Sequence, residues 1–264
     1  MLTDPAHIDP ALAAALLAWQ MEMGADEPIG DSPVDRYAAR PEPARAPARA
    51  AVAPVAVTAA SAPAAGDPVA EARVAAAGAA TLAALAEAQA AYDRCDLKKG
   101  ARNFVFADGN PAARVMVIGE APGREEDLEG RPFVGRAGQL LDRMFAAIGL
   151  SRTSPDAGAA LYITNVLPWR PPANRDPEPS EIAMMLPFLR RHVELAAPDL
   201  VVLMGNTPCA AALGQRGIMR LRGNWTEAFG RPALPMTHPA YLLRNPAAKR
   251  EAWADLLSLK ARLG

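Results

Sequence analysis

VMVIGEAPG, residues 115–123, is an apolar run that ends in a turn. Val115–Ile118 reads as a buried strand, because four consecutive apolar residues are bounded by turn residues. Gly119 and Gly123 allow close backbone approach to a flat ligand, and Pro122 fixes the turn. Ligand sites of open α/β sheets form where strands end in this way. Glu120 would then hold its carboxylate in the cleft; the alternative is a turn residue that faces water.

The pattern repeats outward from this stretch. Tyr162–Val166, Leu200–Met204 and Ala233–Thr237 are further short apolar runs. Helical patterns at Ala137–Ile148, Ser180–Leu195, Thr207–Leu213 and Ala247–Leu263 alternate with them. Strands alternating with helices imply a parallel sheet covered on both faces. The expected architecture is therefore a three-layer α/β/α sandwich with a central, mostly parallel four-stranded sheet. Val69–Tyr92 is Ala-rich and helical by propensity. Asn103–Phe106 reads as one more short strand, followed by a turn at residues 108–111.

Composition divides the 264 residues into three parts. Residues 1–37 hold a short amphipathic helix at 8–23, with Ile8, Leu12, Leu16, Leu17 and Trp19 near one face. This element either docks on the main domain or binds a protein partner. Residues 38–66 are nearly all Ala, Pro, Val and Arg, which reads as a linker of polyproline character. Residues 67–264 form the main domain, with the Ala-rich helix leading. Residues 1–87 carry 5 Lys and Arg against 11 Asp and Glu, whereas residues 88–264 carry 23 against 18. The mildly basic main domain suits a polyanionic partner. Cys95 and Cys209 make neither a disulfide framework nor a metal-ligand pattern. No apolar run reaches the roughly 18 residues needed to span a membrane, and the acidic N-terminus does not read as a signal peptide. A soluble monomer of the cytoplasm, associated with the nucleoid, is expected.

Further polar groups join Glu120 at strand ends. Asn165 closes the second strand, and its amide both donates and accepts, matching one edge of a pyrimidine. His238 closes the last. Gly119, after the first strand, opens the longer run GEAPGREEDLEGRPFVGRAGQLLD, residues 119–142. In it Phe133 sits in a loop flanked by Pro132 and Gly135. Gly135, Ala137 and Gly138 leave a helix N-terminus with free N–H groups for a phosphate. Glu125, Glu126 and Asp127 read as a solvated acidic run, and Asn174 and Arg175 as surface groups. Leu242, Leu243 and Arg244 after His238 read as an exposed apolar wedge with a phosphate contact, a device of proteins that open DNA.

These three stretches (GEAPGREEDLEGRPFVGRAG, YITNVLPWRPPANRDPEPSE and THPAYLLR) resemble the family 4 type of uracil-DNA glycosylase from about Tyr92 to Lys260. LLAWQMEMGADEPIG also resembles an extension on some bacterial members. The resemblance implies removal of uracil from single- or double-stranded DNA without a bound metal in the chemistry. It assigns Glu120 and His238 to catalysis, and Gly119, Ala121, Gly123, Glu126, Phe133 and Asn165 to the base. Gly135, Gly138, Leu242, Leu243 and Arg244 fall to the DNA. The loop around Glu126 is the candidate for excluding the thymine methyl group. Other readings are a preference for hypoxanthine or xanthine, or a non-catalytic relative that binds DNA or a partner. Arg220–Gly223 is too short for the basic, His-containing insertion of the DNA-crosslinking relatives.

The family pattern also implies a [4Fe–4S] cluster on four cysteines. The matching positions here are Tyr92, Cys95, Trp169 and Met185, so only Cys95 is kept. One thiolate cannot hold a cluster that needs four. No cofactor is expected, and the three bulky residues are expected to fill the space.

Overall fold

The protein, seen in a computed structural model, is described over residues 66–264. The expectations for residues 1–37 and 38–65 lie outside the described residues. Two helices lead, α1 (Pro68–Ala77) and α2 (Leu82–Ala91). The single helix expected over Val69–Tyr92 is broken at Gly78, and each piece has its own cap. Asp67 accepts from Val69 N and Thr81 from Ala84 N, satisfying donors that a helix start leaves unpaired. A single turn, α3 (Leu97–Gly100), leads to the first strand.

The sheet has six strands rather than four, in the order β1-β3-β2-β4-β6-β5. Its centre is the expected parallel set: β2 (Val115–Gly119), β3 (Leu161–Asn165), β4 (Leu200–Met204) and β6 (Arg231–Met236). β1 (Ala107–Gly109) and β5 (Thr226–Ala228) add antiparallel edges. Each edge strand has three residues, too few for an alternating pattern to register. The stretch Asn103–Phe106 is not a strand. Phe104 and Phe106 stack on one another at 6.0 Å, and pairing begins only at Ala107.

Side chains alternate across the central strands, as the pleat requires. Met116, Ile118, Tyr162, Val201 and Leu203 enter one core layer. There α6 (Pro179–Ala196) buries Met185, Phe188 and Val193, with α1 and α2 packed outside it. Val115, Val117, Ile163, Val202 and Met204 enter the other layer. That layer is covered by α5 (Arg136–Ala146) and α10 (Lys249–Leu263), through Leu141, Phe145, Leu256 and Leu259. Between β2 and α5 lies α4 (Arg124–Glu129); α7 (Asn206–Leu213) and α8 (Ile218–Leu221) follow β4, and α9 (Pro239–Arg244) follows β6.

A buried polar pair lies in this core. The Tyr162 hydroxyl and His192 Nε2 share a hydrogen bond of 2.9 Å, and Phe106 stacks on the imidazole at 4.3 Å. Burial drives the His192 pKa down to about 3. The folded state therefore keeps His192 neutral, while the unfolded chain binds a proton near pH 6.5. Stability is complete above that pH and falls as pH drops toward 3. Urea unfolding midpoints should decline between pH 6.5 and 4. A Tyr162→Phe/His192→Leu double variant should show a shallower decline, because removing both partners leaves neither group unpaired.

Candidate active site

The four parallel strands end at one rim. Gly119 and Asn165 are paired across β2 and β3. Glu120 follows β2, Gly205 follows β4, and Thr237 and His238 follow β6. These ends open into a cavity of about 570 Å³ lined by Glu120, Phe133, Asn165, Thr207, Thr237 and His238, among others. The carboxylate, the amide and the imidazole singled out in the sequence thus share one cavity.

Gly119 does not line that cavity. A Cβ there would overlap both the Asn165 Oδ1 and the Phe133 ring. Its missing side chain is what lets ring and amide meet over the strand end. Phe133 is 6% exposed and has φ +53, a left-handed conformation that costs a non-glycine residue free energy. Arg152 holds this loop: its guanidinium donates to the carbonyls of Pro132 and Phe133 at 2.8 and 2.9 Å. Asp108 and Asp142 balance its charge at 3.0 and 2.8 Å. Nothing in the sequence marked Arg152, because its partners come from three separate segments.

His238 is the residue before α9, and its Nδ1 accepts the Ala240 N–H at 3.1 Å. An Nδ1 that accepts carries no proton, so the neutral ring bears its hydrogen on Nε2. Burial lowers the His238 pKa to about 4, with Arg244 adding to the effect and Glu126 opposing it. The ring lies against Phe133 at 5.4 Å between centroids. Glu120 is shifted the other way: burial raises its pKa, a hydrogen bond from Thr207 lowers it, Asp176 raises it and Arg216 lowers it. The cavity therefore combines a neutral donor with a carboxylate that sits near α7.

Several expectations need correction. Glu126 is a brace as well as a lining residue. It accepts the N–H groups of Val134 and Gly135 on Oε1, both at 3.0 Å, and that of Gly123 on Oε2 at 3.1 Å. The Gly135 N–H is thus occupied rather than free for a phosphate. Gly138 is buried where a Cβ would strike the Phe133 carbonyl, so it serves packing. Neither glycine lines the cavity. Asp127 is not solvated: it is 7% exposed and accepts from Arg102 N and Asn103 N. Asn174 is exposed, as read, and lines the cavity together with the half-buried Arg175, which also pairs with Glu181 at 2.5 Å.

The wedge is corrected too. Leu242 is 1% exposed and packs with Leu140 and Ala252. In a helix such as α9, one residue in the turn must face the core, and the run of two Leu hid which. Leu243 is half-buried against the same cluster, and Arg244 is exposed and lines the cavity. Arg216, an exposed residue unmarked by any motif, lines it from another segment. Ala121 and Gly123 line it as expected.

The positions assigned to a cluster lie in the core. Tyr92, Cys95, Trp169 and Met185 are 7%, 1%, 3% and 0% exposed and belong to one apolar cluster. Tyr92 meets Phe188 edge-on at 5.5 Å and donates its hydroxyl to the Pro68 carbonyl at 2.7 Å. Trp169 packs on Phe104, and Gln89 donates to the Met185 sulfur. Burial pushes the Cys95 thiol up, so it is protonated. These residues do not fit a four-thiolate cluster. Among the described residues no group of three or more His, Cys, Asp or Glu side chains could hold a metal ion. No described helix is long and apolar enough to cross a membrane.

Residues 106–257 match the family model of the uracil DNA glycosylase superfamily. The chain is 39% identical over 171 residues to a type-4 uracil-DNA glycosylase of Archaeoglobus fulgidus, covering 61% of this chain and 83% of that protein. It is 40% identical over 154 residues to one of Thermotoga maritima, covering 57% and 77%. To one of Saccharolobus solfataricus it is 36% identical over 192 residues, covering 69% and 86%.

The geometry at Gly119 is testable directly. Gly119→Ala should fold with the β2–β3 register intact but lose about 1–3 kcal/mol in urea unfolding, the usual cost of overpacking. Its crystal structure should show the Phe133 ring and the Asn165 amide displaced. An unmoved ring would contradict the role given to this glycine.

Proposed function

The chain belongs to the uracil DNA glycosylase superfamily, and we propose that it removes uracil from DNA and leaves an abasic site. The observation that supports this reading is the meeting of Glu120, Phe133, Asn165 and His238 in one cavity. A base inside a duplex must be turned out of the stack, at a cost of a few kcal/mol. The Phe133 ring then supplies a face for the extruded base. Asn165 pairs with the N3–H and O4 edge of uracil. Cytosine reverses that donor and acceptor pattern, and a buried amide left unpaired disfavours it strongly.

Cleavage places negative charge on uracil O2 and positive charge on the sugar. His238 donates from Nε2 to that oxygen, since Nδ1 is already committed to Ala240 N. A neutral donor held in place beforehand stabilises developing charge without reorganising. Glu120 orients or deprotonates the attacking water and favours the cationic sugar. Arg216 and Arg244, from different segments of the cavity wall, offer charge to the flanking phosphates. The same reading takes the protein to act as a monomer in the cytoplasm, on single- or double-stranded DNA.

We also infer that no [4Fe–4S] cluster is bound. Three of its four positions hold large side chains of a filled core, and one thiolate cannot hold a cluster that needs four. Protein purified without oxygen should lack both a broad visible absorption band and stoichiometric iron; the presence of either would refute this.

Base release from duplexes carrying uracil, hypoxanthine or xanthine tests the main reading. Uracil should be released, with the other two far slower. Glu120→Gln and His238→Ala should each lower the single-turnover rate about 100-fold or more, a usual effect of removing one such group. Affinity for uracil-DNA should stay within about threefold, because groups that act in the transition state contribute little to ground-state binding. Equal losses in rate and affinity would make these residues binding groups only.

A further inference from the structure

Glu120 has a partner that no motif marked. The Thr207 hydroxyl donates to Glu120 Oε2 at 2.5 Å across 87 residues of sequence. Thr207 is 4% exposed and stands in the first turn of α7. That turn is fixed from both sides. Gly205, with φ +98, donates its N–H to the Met236 carbonyl at 2.9 Å and would place a Cβ 3.3 Å from that of His238. Asn206 accepts the N–H groups of Gly217 and Ile218 at 3.0 and 2.9 Å. The hydroxyl therefore sits on a rigid element and is tied to the strand end that carries His238.

Building on the glycosylase reading, we infer that Thr207 is a positioning residue for the reaction: it holds one oxygen of Glu120 and leaves the other for the attacking water. Oε1 has no hydrogen-bond partner among the described residues. A carboxylate free to rotate would spend little time aimed at the sugar, and misplacement by about 1 Å can cost roughly 100-fold in rate. The same bond opposes burial, which favours the protonated acid. The other groups acting on Glu120 are Asp176, which works with burial, and Arg216, which works against it. Glu126, Arg175, His238 and Arg244 occupy the remaining walls. With the hydroxyl removed, Arg216 alone opposes burial, so Glu120 should take up its proton at higher pH.

The test is single-turnover uracil release across pH, with uracil-DNA affinity measured alongside. Wild type should lose activity at acid pH along a limb that is absent in Glu120→Gln. Thr207→Val, which keeps the shape and removes the hydroxyl, should move that limb to higher pH. Its plateau rate should be about tenfold lower, with affinity unchanged. Thr207→Ser should restore the limb to its wild-type position. If Thr207→Val folds poorly, Thr207→Ala serves, with the same expected shift. A loss of equal size at every pH, or an equal loss of affinity, would overturn the positioning role. A wild-type protein that releases no uracil would instead overturn the glycosylase reading beneath it.

Discussion

The end of β2 has no room for a side chain of its own, because Phe133 and Asn165 meet there. Residue 119 has no side chain, and a Cβ there would collide with both. Around that vacancy the rest of the site is fixed by short-range demands. Parallel pairing of Gly119 with Asn165 sets the height of the amide. Phe133 reaches the same point from a loop with an unfavourable backbone conformation, at a cost on the order of 1–3 kcal/mol. Arg152 and the close seat of Gly138 hold that conformation in place. Strain of this kind persists only where the surroundings over-determine it, and here two aspartates, two carbonyls and a glycine do so.

The apolar side of the molecule solves a different problem. Where the family resemblance calls for thiolates around a cluster, this chain has a phenol, an indole and a thioether in one packed layer. Replacing a metal centre with side chains exchanges a few strong bonds for many weak contacts. Such contacts are individually about 0.1–0.2 kcal/mol and matter only in number. The Tyr92 ring edge on Phe188 and its hydroxyl on Pro68 give the layer direction as well as bulk. α1 is thereby tied to the helix that carries Met185. The cavity lies at the strand ends and is lined by none of these four residues.

The parallel core and the polar groups that share the cavity were legible in the sequence for one reason: both are local. A run of four or five apolar residues and a polar residue just after it lie within a few positions of each other. Glu120, Asn165 and His238 each carry that signature. The groups that hold them do not. Thr207 bonds Glu120 from 87 residues away, and Arg152 gathers Asp108, Pro132, Phe133 and Asp142. No window reveals such partners. Three-residue edge strands fail for the opposite reason, being too short for any period. The Leu242–Leu243 pair failed because a six-residue helix packs one of its faces, and adjacent leucines give no hint which residue turns inward. Glu126 read as solvated because it sits in the acidic run Glu125–Asp127, yet its two oxygens accept from three backbone donors.

Burial makes two contrary demands on this cavity, and that explains its construction. An enclosed site strengthens every hydrogen bond to a developing anion, because water no longer competes. The same enclosure favours uncharged groups. For His238 the two effects agree: the neutral ring is the useful donor, and burial drives its pKa down to about 4. For Glu120 they conflict under the proposed glycosylase reading, which needs the ionised acid to orient a water and face a cationic sugar, whereas burial favours the proton. A site that needs a neutral imidazole and a charged carboxylate in the same enclosure must therefore treat them differently. The imidazole requires only a backbone N–H to fix its tautomer, and Ala240 provides it. The carboxylate gains from a donor of its own on a rigid element, because that bond opposes the burial that raises its pKa. The hydroxyl on α7 is that donor without adding a second charge, which would compete with the sugar for the carboxylate.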